Sequence, residues 1–174
     1  MSRPEIFVGM GEFAATADAS AILTTIGLGS CLGIALLDPG GRAAGLAHVM
    51  FPQARQPDAE RPGRYADTAV TALLAALARL GSPASGLCAV LAGGARMFSF
   101  KGASGPDIGA SNLAATQEVL SLAGIPICAS ATGGSSGRSI RIQAADGVVR
   151  VREAGIDTEL YRPPPTRQGA GASR

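Results

Sequence analysis

The sequence has few residues that stack, crosslink or ligate metal. It contains no Trp, two Tyr and five Phe, and its one histidine is His48. Its three cysteines, Cys31, Cys88 and Cys128, are too few and too far apart for a disulfide framework, and none belongs to a C-x-x-C pair. With a lone histidine and scattered cysteines there is no structural zinc pattern, so neither a metal nor a cofactor is expected. Long apolar runs are also missing. No stretch approaches the roughly 18 uninterrupted apolar residues of a membrane span, and Met1-Ser2-Arg3-Pro4-Glu5 does not open a secretory leader. Charge has no strong sign: 15 Lys plus Arg against 13 Asp plus Glu leave a formal +2. That balance gives no electrostatic footprint for nucleic acid or a membrane surface. A cytoplasmic protein with neither partner is the expectation.

What is present is an ordinary globular composition, 47% hydrophobic over 174 residues, long enough for one core. Residues 1–161 are expected to form one domain. Residues 162–174, rich in Pro, Gly and Arg and without an acid, are expected to be a disordered tail.

Two helices are readable. Ala69, Val70, Leu73, Leu74, Leu77 and Leu80 recur at helical spacing over 65–80, with Arg79 in the last turn and Gly81 as a stop. A second helix is expected over 112–123, with Ser111 as its N-cap and Gly124 and Pro126 ending it. Residues 31–37 and 42–49 flank Asp38-Pro39-Gly40-Gly41 and read as a hairpin. Residues 87–92 and 125–129 are short apolar runs of the kind found in buried strands. Residues 139–143 and 148–152 alternate around Asp146-Gly147, which predicts a second hairpin with Ile140 and Ile142 on one face and Arg141 and Gln143 on the other. Hairpins interrupted by two helices give a single-domain α+β fold with a mixed or antiparallel sheet. Residues 52–64 form a polar loop long enough to act as a lid.

Of the cysteines, Cys88 and Cys128 lie in apolar runs and read as core. Cys31 differs. It follows Gly27-Leu28-Gly29-Ser30, a loop that bends closely and can point amides at an incoming oxygen. In the first hairpin Cys31 opens one strand and His48 closes the other, so both fall at the same end. An adjacent imidazole can take a thiol proton and make a strong nucleophile. A histidine ending an apolar strand is also a common core residue, so spacing alone leaves both readings open. The glycines at 27, 29 and 33 do not make a dinucleotide loop: the last comes one residue late and a strand, not a helix, follows. Gly133-Gly134-Ser135-Ser136-Gly137 reads as a turn beside the cleft rather than a phosphate cradle, and Arg138 after it as a solvated arginine.

Thr25-Ile26-Gly27-Leu28-Gly29-Ser30-Cys31 and His48-Val49-Met50-Phe51-Pro52 resemble the two signature segments of the CheD family, the chemoreceptor glutamine deamidases. The likeness continues at Tyr65-Ala66-Asp67, Gly93-Gly94-Ala95-Arg96-Met97-Phe98 and Gly133-Gly134-Ser135-Ser136-Gly137-Arg138, in the family's order over about residues 5 to 152. This chain departs from the usual pattern with Phe51 in place of a leucine, Ser111 in place of an arginine, and Leu91-Ala92 ahead of Gly93. The resemblance implies a layered α+β sandwich with a mixed sheet, and a cysteine hydrolase that converts receptor glutamines to glutamate with release of ammonia. By it the nucleophile falls on Cys31, the base on His48 and the third member on Thr25, and Gly29 and Ser30 belong to the loop that would hold an oxyanion. Methyl-accepting chemoreceptor cytoplasmic domains are the implied partners, with a CheC-type phosphatase as a further one, and a monomer is expected. The alternative is an interaction module that binds receptors or such a phosphatase, with or without methylesterase activity.

Overall fold

In the computed structural model, which describes residues 3–55, 60–97 and 105–165, apolar strands stack against helices on one face and a second sheet on the other. The strands are β1 (Glu5–Phe7), β2 (Phe13–Thr16), β3 (Ile22–Leu28), β4 (Leu32–Leu37) and β5 (Ala44–Val49). After helix α1 (Ala66–Arg79) come β6 (Cys88–Gly93), α2 (Ile108–Leu122), β7 (Ile127–Thr132), β8 (Arg138–Gln143), β9 (Val148–Glu153) and β10 (Ile156–Tyr161). One sheet has the order β1-β3-β8-β9-β10 and the other β2-β5-β4-β6-β7. Each contains one parallel pair, β1 with β3 and β6 with β7, so both are mixed. The expected α+β sandwich with two main helices is the fold.

Alternation along β4 explains the layering. Leu32, Ile34 and Leu36 pack with Val70, Leu73 and Leu77 of α1 and Leu120 of α2, whereas Ala35 and Leu37 pack with Leu23, Ile140, Ile142 and Val149 of the other sheet. A sheet covered on both faces reads as continuous apolar sequence, and every residue of β4, β5 and β6 is buried. The outer sheet keeps the one-sided pattern: Ile140 and Ile142 are buried and Arg141 is exposed.

The first helix and both hairpins fall where their patterns predict. The second helix begins at Ile108 rather than Asn112, and its cap is Asp107, whose carboxylate accepts the Ala110 amide at 3.0 Å. Ser111 lies inside, donating its hydroxyl to the Asp107 carbonyl. The early start was hidden by Gly109, which lies so close to the preceding loop that a Cβ would come within 2.6 Å of the Ala95 carbonyl. Ile125 still packs under α2, so β7 starts two residues later than its apolar run. Cys88 is buried, but Cys128 is exposed rather than core, on an edge strand whose register slips beside it. The tail expected over 162–174 is described only to position 165, where Arg162 pairs with Glu159 at 2.8 Å and Asp146 at 3.8 Å. Residues 166–174, Phe98 and positions 56–59 of the polar loop lie outside the described residues.

Candidate active site

The site forms at the seam between the sheets. Antiparallel pairing of β4 with β5 sets Gly33 opposite His48 and Leu32 opposite Val49, so Cys31 lies one step beyond the ladder, diagonal to His48. Diagonal cross-strand neighbours have Cβ atoms roughly 7–8 Å apart, within reach of long side chains. His48 faces the second sheet, as do Ala44 and Leu46 on its own strand. Cys31, half-buried, packs against that same inter-sheet core. At Gly33, opposite His48, a Cβ would come within 2.9 Å of Leu28, so glycine there lets the Leu28 side chain pack against the strand.

The second sheet contributes Thr25. It is fully buried, its Oγ1 donates to the Val8 carbonyl at 2.6 Å, and the same oxygen lies 2.7 Å from His48 Nδ1. His48 is also fully buried, and its Nε2 has no hydrogen-bond partner among the described residues. Burial lowers the histidine pKa and raises that of the Cys31 thiol, so both groups are held neutral.

After Thr25 the β3–β8 register shifts through Gly27, at φ 75°, and Leu28 pairs with Arg138 before the chain leaves the sheet. Residues 29–31 cross to the other sheet as a loop tied by its carbonyls. The Gly29 carbonyl accepts from Ala95 and the Cys31 carbonyl from Gly94, both at 2.8 Å. Gly93 must be glycine here: its φ is 108°, and a Cβ would collide with the Cys31 carbonyl. The Gly29 amide is already used by the Gly27 carbonyl at 3.1 Å. Ser30 borders a cleft of about 300 Å³, with Ala95, Arg96, Met97, Asp107 and Ile108 on its other walls.

Two residues missed as site elements hold these loops. Arg138, expected to be solvated, is buried. It donates to the Gly133 carbonyl at 2.7 Å and to that of Gly93 at 3.4 Å, and pairs with Glu153 at 3.0 Å. Asn112, fully buried on α2, donates to the Ser30 carbonyl at 2.9 Å and the Met50 carbonyl at 3.1 Å. The available signal for Asn112 was a polar side chain on a stripe shared with Ala115, Thr116 and Leu120. Among the described residues no cluster of three metal-ligating side chains occurs, and no helix is long and apolar enough to cross a membrane.

The family model for CheD chemotactic sensory transduction matches residues 50–153. The chemoreceptor glutamine deamidase CheD of Thermotoga maritima is 38% identical over 153 residues, 88% of this chain and 94% of its own. Two proteins named probable chemoreceptor glutamine deamidase CheD are similar to it at comparable levels. That of Haloarcula marismortui is 39% identical over 158 residues, 90% of each chain. That of Caldanaerobacter subterraneus is 43% identical over 150 residues, 85% of this chain and 92% of its own. A solved Neisseria meningitidis structure (family model DUF152) overlaps 76% of this chain and 63% of its own, at TM-score 0.44 and 12% identity, too distant to bear on the site.

Proposed function

This chain belongs to the CheD family, and from that premise we propose that it is a cysteine-dependent deamidase of chemoreceptor glutamines, with Cys31 as nucleophile, His48 as base and Thr25 as the residue that orients the base. The observation that carries the reading is the pair of contacts at Thr25 Oγ1. A hydroxyl has one hydrogen. Val8 offers only a carbonyl, so that hydrogen goes to Val8, and Thr25 must accept from His48 Nδ1–H. In the neutral imidazole the lone pair then lies on Nε2, the nitrogen without a partner.

The chemistry follows from that tautomer. His48 Nε2 takes the thiol proton as the Cys31 sulfur attacks the glutamine amide carbon. The amide oxygen becomes an oxyanion, held by amides of the 29–31 loop; because the Gly29 amide is engaged, those of Ser30 and Cys31 are the donors. The imidazolium gives its proton to departing ammonia and a thioester remains. Water, activated by His48, hydrolyses the thioester to glutamate and regenerates the thiol. Since both groups rest neutral, proton transfer accompanies attack and no stored thiolate is needed. The same path accepts a glutamyl methyl ester. Domain boundaries of 1–161, a monomeric state, action in the cytoplasm and a CheC-type partner belong to this reading.

Intact mass of a receptor cytoplasmic fragment tests it. Incubation with the wild-type chain should add about one mass unit per modified glutamine, and Cys31→Ala should add none. No mass change with a cognate receptor that still binds would leave an interaction module.

A further inference from the structure

The polar side chain of Asn112 is costly where it lies. Its Oδ1 has no partner among the described residues and is shielded from water, although a buried amide oxygen left unpaired is normally avoided. A helix that only had to dock on β4 would present an apolar side chain at that position, as Ala115 and Leu120 do on the same stripe. The two acceptors of its Nδ2 account for the amide. One is the carbonyl of Ser30, which precedes Cys31, and the other that of Met50, two residues past His48. These carbonyls belong to segments that meet only at this end of the β4–β5 ladder, where pairing has stopped and the backbone no longer sets the spacing. One NH₂ group donating to both fixes their separation. On the opposite side, the amides of Gly94 and Ala95 hold the Cys31 and Gly29 carbonyls, so the loop is clasped from two directions.

We propose that Asn112 is a positioning residue that sets the distance of the Cys31 thiol from His48 Nε2. The inference rests on the deamidase reading above. It acts through backbone carbonyls and touches neither substrate nor reacting atoms.

The test needs a readout that loss of stability alone would not move. Cys31 alkylation by iodoacetamide at pH 7 is followed by peptide mass in the wild-type chain and in His48→Gln; the ratio of the two rates measures how far the imidazole assists the thiol. The same ratio is then taken with Asn112→Leu, which keeps the branched shape and the helix and removes both polar atoms. The expectation is a wild-type ratio well above one that falls to about one in Asn112→Leu. Deamidation kcat should drop at least about tenfold with KM within about twofold. If Asn112→Leu does not fold, Asn112→Ala takes its place and is measured below its own melting temperature. A ratio as high in a folded Asn112 variant as in wild type, with Cys31 and His48 still coupled, would overturn the positioning role and leave the deamidase reading intact. A wild-type ratio of one would remove the Cys31–His48 pair itself, and the inference with it. Absence of receptor deamidation by the wild-type chain, with its ratio well above one and falling in the Asn112 variant, would be a failure of the proposed substrate alone.

Discussion

Thr25 sits between a carbonyl that can only accept and an imidazole that can do either, and its single hydrogen decides which nitrogen of His48 is basic. Thr25→Val keeps the branched shape that suits β3 and removes the oxygen. The Val8 carbonyl and the Nδ1–H then lose a partner in a place closed to water, at about 1–3 kcal/mol for each group left unpaired. The larger effect falls on chemistry, because the imidazole is free to take the tautomer that points a proton at the thiol. Deamidation kcat in Thr25→Val should fall about ten- to a hundredfold with little change in KM, and Thr25→Ser should recover most of it. Loss should be less complete than in Cys31→Ala, since an orienting group can be partly replaced. A Thr25→Val variant with wild-type kcat would take Thr25 out of the mechanism.

At the scale of elements, the site depends on a crossing between sheets, and the crossing depends on close backbone approach. Gly93 ends β6 with its Cα against the Cys31 carbonyl, and no side chain fits. Gly93→Ala must push the 29–31 loop outward or bend β6, and strain of this kind costs about 1–3 kcal/mol. Thermal unfolding should shift down by several degrees and the deamidation rate should fall further than that loss of stability accounts for. An alanine variant with native melting temperature and rate would show that the loop tolerates displacement. The same elements mark what the sequence makes legible. The 31–49 hairpin, the first helix and the 139–152 hairpin are local patterns, each carried by its own turn residues and alternation, and they stand where the patterns put them. The hairpin also puts Cys31 and His48 at one end from spacing alone, whereas Thr25 came only from the family resemblance, because its contact joins two sheets. Asn112 and Arg138 act on backbone carbonyls up to 82 residues away, and no local pattern encodes that. β1, β2, β3 and β10 were missed: β1, β2 and β10 are edge strands whose residues are half-exposed or exposed, and in the internal β3 the alternation breaks at Ile26 and Gly27, where its register with β8 shifts.

The whole molecule places its only histidine at the meeting of its two sheets, fully buried. That location couples the proposed base to global stability. In the unfolded chain His48 titrates near its ordinary value of about 6.5, whereas burial lowers its pKa in the fold. Between those two values the unfolded state binds a proton that the folded state refuses, so stability falls as pH drops. The contribution is fully present above about pH 6.5 and is lost as pH falls through the depressed folded value, with a limiting slope of about 1.4 kcal/mol per pH unit for one proton. The thiol of Cys31 works in the opposite sense: its raised pKa favours the fold below the ordinary thiol range and gives that up in strong alkali. No other side chain in this sequence has an ordinary pKa near 6.5, so the slope just below that pH belongs to His48. Denaturant melts from pH 7 to 5 should therefore show falling stability in the wild-type chain and a flatter profile in His48→Gln, whatever the absolute stability of the variant. Parallel profiles would mean that His48 is as easily protonated in the fold as outside it, so that burial does not favour the neutral imidazole.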